Sequence, residues 1–442
     1  MPCKSMAACL LASWGALVLL RDPTPTFVYD ASQYWLGAQA LAQGTDEYAS
    51  GGLSFRGLFT SVVYLPAFVL AHVAGGSVVA AGWAVLVQNA LLIALLGAVI
   101  IPTLLRRAVT IGAAHVGVSA AITSLLLSRF APYPLMDLPA VVCVVLAVLL
   151  LCESRWWTSL LGGASLALAL NLRPAYALTA ILILLVVVVG RWRRAPFAAL
   201  GGAGVLAVQA GYGWMRAGVV SLWPPDTERV AAIQLYYAAY GVRYDTVPFT
   251  VEDPRLWHCS PGMAEAVTGQ PPPTSARELL GVMVDNLPGS ALFAVDKITA
   301  SLHWSTATPY ALPGGQALRP LGLLVLVVSC VGCVSLVALL RDRRADRTAP
   351  LALLALVVGV TLTLVGAAPE ARFALPIVVA GIAGVVAAVS RWWRPGVSWS
   401  RPLIFGVVCA VVLTALVAGL GWRALQYDVP RGELTVEACL AG

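Results

Sequence analysis

The chain has 442 residues, of which 60% are apolar and only 11% charged, with a formal net charge of +7. Soluble domains carry about a quarter charged residues, so this composition cannot clothe a water-facing surface, and lipid must be the solvent for most of the chain. The positive charge does not point to nucleic acid, because the basic residues are scattered over short loops and form no concentrated basic and aromatic surface.

A spanning helix needs about 20 mostly apolar residues. The first run, 6–20, follows Lys4 and leads directly into Arg21-Asp22-Pro23-Thr24-Pro25, with no small-residue cleavage site, so it reads as an uncleaved span. A polar stretch follows, and then 58–76, a nearly long enough apolar segment interrupted by Pro66 and His72. Further apolar runs lie at 79–105, 108–128, 138–152, 156–171, 175–190, 196–222, 319–340, 349–368, 373–390 and 402–421. Keeping 58–76 on one face as an interfacial or re-entrant helix puts 14 basic residues and three acids on the side of Lys4. The other side then holds 14 basic residues and 18 acids. The positive-inside rule selects this arrangement, with the N-terminus cytoplasmic in a plasma membrane. The expected fold is an all-α polytopic membrane protein of about eleven transmembrane helices with two large extracytoplasmic loops. Its parts are an N-terminal transmembrane module, 1–222, with an outer loop at 21–78; a large outer segment, 223–318; C-terminal helices, 319–421; and an outer tail, 422–442. The outer segment holds Pro271-Pro272-Pro273 and a pattern that predicts an amphipathic helix from Arg277 through Lys297. No internal repeat is visible, which counts against a transporter built from paired halves.

The first outer loop contains Asp30, Tyr34, Ala38, Leu41 and Gly44 at helical spacing. Asp30 and Tyr34 fall one turn apart on one face, and Gly44 is placed to end the helix. Two readings of Asp30 stand side by side. It is an N-cap with Gln33 completing a capping box, or it is a catalytic carboxylate facing a cleft. The adjacent acids Asp46 and Glu47 follow the helix. Three further outer junctions carry charge at span ends: Arg129 to Asp137, Asn171-Leu-Arg173-Pro174, and Pro369-Glu370-Ala-Arg372-Phe-Ala-Leu-Pro376. Each could equally be an interfacial anchor whose charge reaches water.

An N-terminal span, then Asp-x-x-x-Tyr-x-x-x-Ala-x-x-Leu-x-x-Gly, then an interfacial helix with proline and a bundle whose spans end in arginine pairs, resembles the GT-C superfamily. These are integral membrane glycosyltransferases using polyprenyl-phosphate sugars, among them protein mannosyltransferases, the aminoarabinose transferase of lipid A, and actinobacterial mannosyl- and arabinofuranosyltransferases. The resemblance covers the topology of residues 1–390. It departs from several of these families in having Ala31 after Asp30, where they carry Asp-Glu. Asp137 is similar to the second acidic position of the family, Arg173 to a Lys/Arg-Pro junction, and Glu370 with Arg372 to the Glu-x-Arg-Phe/Tyr-x-Leu-Pro pattern.

Transfer of a sugar from a lipid phosphate to a hydroxyl needs a carboxylate to accept the hydroxyl proton and positive donors for the leaving phosphate. Arginine suits the second task because its fork pairs with phosphate oxygens. The resemblance implies Asp30 as general base. It implies Arg372 as the first ligand of the donor phosphate, with Arg173 or Arg129 assisting. Tyr34 and Asp137 orient hydroxyls, and Glu370 belongs to the same substrate-binding set. The partners implied are a polyprenyl-phosphate sugar donor (mannose-like or arabinofuranose), an acceptor that is a glycan, lipid, peptide or protein, and membrane lipid. No His/Cys pattern has metal-ligand spacing, so no metal ligand is assigned, although a divalent cation held by outer acids is compatible with the family. Cys259 and Cys439 alone among nine cysteines lie in outer segments, where a disulfide between loop and tail is permitted. Two alternatives use the same residues: a transporter or flippase of lipid-linked sugars, and a non-catalytic subunit of a cell-envelope assembly. A carrier should show polar groups at mid-membrane, where Gln88, Gln209 and Arg216 are the main interruptions.

Overall fold

The computed structural model describes residues 2–24, 26–45, 57–223, 227–247, 255–311, 317–341, 346–392, 401–429 and 434–441. The Asp46-Glu47 pair and Pro224-Pro225 lie outside them. The chain is mostly helical and forms two compact units. Among the described residues, eight helices are long and apolar enough to cross a membrane, or up to nine if one bent pair counts as a single span.

The first unit comprises residues 1–227, 332–359 and 379–406. It contains α1 (Pro2–Leu20), α2 (Tyr29–Gln43), α3 (Leu58–Val73), α4 (Val78–Leu95), α5 (Ile101–Leu105), α6 (Ala113–Leu127), α7 (Asp137–Cys152), α8 (Trp156–Leu172), α9 (Ala177–Arg191) and α10 (Ala195–Ala217). A π-helical turn at Leu96–Ile100 joins α4 to α5 in one continuous rod. Packing relies on small residues, as expected where lipid removes the hydrophobic drive between helices. A Cβ on Gly163 would lie 1.9 Å from the Ala198 carbonyl oxygen, and one on Gly201 1.9 Å from that of Leu160, so α8 and α10 approach backbone to backbone.

One end of this unit is tied by charge. Arg107 pairs with Glu153 at 2.7 Å and lies 3.7 Å from Asp346, while Arg191 and Arg194 donate to the Glu153 carbonyl oxygen at 2.8 and 2.6 Å. Glu153 and Asp346, two of the three acids expected on the side of Lys4, are paired with arginines at this end.

The opposite end holds α3. At 16 residues this helix rises only about 24 Å, short of the roughly 30 Å hydrocarbon core. Distant polar side chains secure it. Its first free N–H groups, Leu58 and Phe59, donate to Gln209 Oε1 (2.8 Å) and Asn171 Oδ1 (3.3 Å), and the Asn171 amide donates to Gln209 Oε1 (3.1 Å). Pro66 disturbs the ladder at mid-helix. The Gln88 amide is spliced into the gap, accepting from Ala67 N at 3.1 Å and donating to the Val63 carbonyl at 2.8 Å. Gln88 and Gln209, the polar interruptions of two long helices, thus serve the backbone of α3.

The second unit comprises residues 228–331, 360–378 and 407–442. It contains α11 (Thr227–Ala238), β1 (Gly241–Thr246), β2 (Arg255–Cys259), α12 (Pro261–Val267), α13 (Ala276–Asp285) and α14 (Leu287–Leu302). The helices α15 (Pro320–Leu340), α16 (Thr348–Val365), α17 (Leu375–Trp392) and α18 (Arg401–Ala424) contribute segments to both units, and β3 (Asp428–Val429) and α19 (Val436–Ala441) complete the second. Two expectations need correction here. The chain is not purely α-helical, because β1, β2 and β3 form an antiparallel sheet in that order. The amphipathic segment 277–297 is not one helix but α13 and α14, bent by 116° where Asn286-Leu287-Pro288 interrupts the ladder.

The core of the second unit gathers Tyr240, Val242, Trp257, Met263, Phe293, Leu425 and Leu434 around the sheet. Cys259 and Cys439 are disulfide-bonded across 180 residues, joining the end of β2 to α19. Lys297 is completely buried on α14, and its ammonium donates to the carbonyl oxygens of Ala238 (2.8 Å), Val365 (3.1 Å) and Ala367 (2.7 Å). A polar group that would otherwise be costly to bury therefore closes three backbone ends.

Candidate active site

Asp30 sits in the first turn of α2, where a carboxylate is favoured by the helix dipole. It is not the N-cap. Val28 holds that position without a side-chain cap, and the Gln33 side-chain oxygen is buried without a hydrogen bond, so the capping-box reading fails. The displacement has a local cause. Tyr29 adopts φ 51°, a left-handed conformation costly for a bulky residue, and turns the chain into the helix one residue before Asp30. Ala31 and Ser32 then donate their N–H groups to the Val28 carbonyl at 3.1 and 3.4 Å. Asp30 is partly exposed, whereas Tyr34, one turn on, is buried. Gly44 ends the helix at φ 66°, as expected from the spacing.

Asp137 begins α7 and is buried, forming a salt bridge to Arg173, which ends α8 in extended conformation. The two junction residues are therefore brought together as one neutral pair. The loop before Asp137 is pinned by Asn89, whose amide donates to the Ala131 and Tyr133 carbonyls at 3.1 and 2.8 Å. The Tyr64 hydroxyl adds a bond to the Leu135 carbonyl at 2.9 Å.

Arg129 is half-buried beyond the end of α6, and its Nε is buried without a hydrogen bond among the described residues. A second guanidinium lies near it. Arg21, just past α1, donates to Ser128 Oγ at 2.7 Å. Burial, together with the Arg129 charge, pushes the Arg21 pKa down, opposed by Asp22. Tyr133 is raised by burial, against the pull of Arg129. Two neighbouring cations that form no salt bridge among the described residues are a place for an anion. Sequence reasoning used Arg21 only to reject a cleavage site, and the ends of two spans distant in sequence carry no signal that they meet.

In the second unit, Glu370 and Arg372 are both buried and paired at 2.5 Å. The other carboxylate oxygen of Glu370 accepts from Thr246 N at 3.2 Å, and Tyr244 N donates to the Pro369 carbonyl at 3.0 Å, so this junction is stitched to β1. The Arg372 guanidinium lies 5.7 Å from the Tyr310 ring centre. A further buried pair, unforeseen in the sequence, lies on the sheet. Arg243 grips Asp245 through two nitrogens, at 2.9 and 2.5 Å, and donates to the His303 carbonyl at 2.8 Å. Burial would raise the Asp245 carboxyl, but the Arg243 guanidinium, with the His258 ring 3.8 Å away, outweighs it and holds it below the usual range.

Asp30, Tyr34, Arg129, Asp137 and Arg173 thus belong to one unit, and Glu370 and Arg372 to the other. No group of three or more His, Cys, Asp or Glu side chains capable of holding a metal occurs among the described residues. Asp137 and Glu370 are each paired with an arginine. Comparison with family models, curated proteins and solved structures finds no match.

Proposed function

We propose that the protein is a membrane glycosyltransferase of GT-C type, with about eleven spans and its site on the outer face of the plasma membrane. It moves a mannose-like or arabinofuranose unit from a polyprenyl-phosphate donor to an acceptor hydroxyl on a glycan, lipid, peptide or protein. The observation that carries this reading is Asp30, a partly exposed carboxylate behind a strained Tyr29, in the same unit as the Arg21–Arg129 cation pair. Asp30 is the general base that takes the acceptor proton as the glycosidic bond forms. Arg129 and Arg21 receive the donor phosphate, since neither forms a salt bridge among the described residues, whereas Arg173 and Arg372 are neutralised by Asp137 and Glu370. The latter pairs hold the junctions in place. Gln88 supports this reading over a carrier, because both ends of its amide are taken up by the α3 backbone, and the Gln209 oxygen accepts from the start of α3.

The test is to incubate the purified, reconstituted protein with polyprenyl-phosphate sugars and a panel of acceptors, measuring release of polyprenyl phosphate. Asp30→Asn should lower turnover by about 10²–10⁴-fold while donor binding persists. Turnover near the wild-type level in that variant overturns the assignment, and transbilayer movement of intact donor without release of phosphate would identify a carrier.

A further inference from the structure

The two faces of α2 differ. Ala31, Tyr34, Gly37 and Ala38 are buried, while Ser32, Trp35, Gln39 and Gln43 line a separate cavity of about 510 Å³. Its far wall comes from α3 and the start of α4, including Phe68, His72 and Ser77. That volume falls within the range of about 300–1,000 Å³ of small-molecule sites.

The lining has a specific chemistry. Four rings form a ladder: Phe27 to Trp35 (5.2 Å between centres), Trp35 to Phe68 (5.6 Å) and Phe68 to His72 (6.3 Å, stacked). Trp35, Gln39 and Gln43 follow at i, i+4 and i+8 on one helical stripe, so two amides stand in line with the indole. Each amide offers both donors and an acceptor. Neither makes a hydrogen bond among the described residues, and no Asp, Glu, Lys or Arg lines the cavity there. The described lining offers no counter-charge to a phosphate or a charged headgroup. A neutral ring with an apolar C–H face and a rim of hydroxyls meets both features at once, the face on the aromatic ladder and the rim on Gln39, Gln43 and His72.

We infer that this cavity is a binding subsite for a neutral hexopyranose unit, carried either on a glycolipid or on a soluble glycan. It lies on the face of α2 away from Tyr34 and does not depend on the catalytic reading of Asp30. The subsite would hold a sugar that is not itself the reacting one.

The experiment uses the full chain in phospholipid nanodiscs, free of glycoside detergents. One arm measures saturation-transfer NMR with α-mannotriose. The other measures retention of a monoglycosyl diacylglycerol doped into the disc. Binding in either arm is expected for the wild type, and the arm that responds identifies the source of the sugar. Trp35→Ala should weaken binding tenfold or more. Gln39→Ala/Gln43→Ala, a pair on the partly exposed stripe chosen to spare folding, should weaken it several-fold with an unchanged melting profile. Absence of binding in both arms overturns the proposal. So does binding that survives both variants, or displacement of the sugar by an anionic phospholipid.

Discussion

The Asp137–Arg173 pair offers the sharpest test of how charge is used at the helix ends. The two side chains are 3% and 13% exposed, so neither has water to fall back on. Asp137→Asn leaves a buried guanidinium without its counter-charge, and Arg173→Gln leaves a buried carboxylate. Removing one member of such a pair typically costs about 3–5 kcal/mol. The double variant leaves two neutral amides that can hydrogen-bond each other and should be less damaged than either single one. The double-mutant cycle should therefore return a favourable coupling above about 2 kcal/mol. Thermal unfolding can be followed with a thiol-reactive dye, because Cys152 and Cys330 are buried free thiols that report opening. Donor kinetics supply a second readout. If the pair only positions the α7 and α8 ends, the two single variants shift donor KM and kcat alike. A donor KM raised by Arg173→Gln but untouched by Asp137→Asn would mean that Arg173 contacts the phosphate itself. Additive single effects, or single losses below about 0.5 kcal/mol, would refute the reasoning.

Two predictions concern the second unit. Because the Asp245 carboxyl is held below its unfolded value of about 3.9, its stabilisation is complete above that value and lost as pH falls through the folded one. Thermal stability should be flat above about pH 5 and fall below about pH 4, and Asp245→Asn should lower the neutral plateau by about 3–5 kcal/mol and flatten the acid limb. An acid limb unchanged in that variant would assign it to other groups. The Cys259–Cys439 bond closes 180 residues, for which a free chain would gain about 5 kcal/mol. The intervening long apolar helices already restrict the reduced chain, so Cys259→Ser/Cys439→Ser should cost about 2–3 kcal/mol. A melting profile indifferent to both the substitution and reductant would show that the bond adds nothing.

The long apolar helices were legible because twenty apolar residues have few other uses, and Gly44 was legible because a left-handed helix end demands it. The sheet was not. Its first strand, Gly241-Val-Arg-Tyr-Asp-Thr, buries Arg243 and Asp245 where a strand ordinarily shows apolar residues. Those two charges cancel each other in space, and no alternation survives in the sequence to betray the strand. Gln88 and Gln209 were visible as polar interruptions, but their purpose depends on α3, which is remote in sequence and whose Pro66 creates the vacancy that Gln88 fills. The bend between α13 and α14 was foreshadowed by Pro288, but the apolar period running through it is equally compatible with one helix.

The pattern of acid–arginine pairing bears on which residue could carry the proposed chemistry. Asp137 with Arg173, Asp245 with Arg243, and Glu370 with Arg372 are three buried carboxylates, each held by its own guanidinium. Such a group is a poor base, because protonating it strands the arginine, and an acceptor hydroxyl cannot reach it. Two of these three, Asp137 and Glu370, are also marked in the sequence by charge at a span end, a feature that structural pairs and reactive groups share. Exposure separates them. Asp30 is partly open at a helix start, and the strain at Tyr29 sits beside it rather than beside any of the pairs. Strain of this kind persists only where the surroundings enforce it. Relieving it should therefore be informative without touching the carboxylate. Tyr29→Gly removes the cost of the positive φ while leaving Asp30 in place, and it should preserve or raise stability while lowering kcat if the ring or the constraint helps to aim the carboxylate. Unchanged kcat together with raised stability would show that the turn serves only to start the helix.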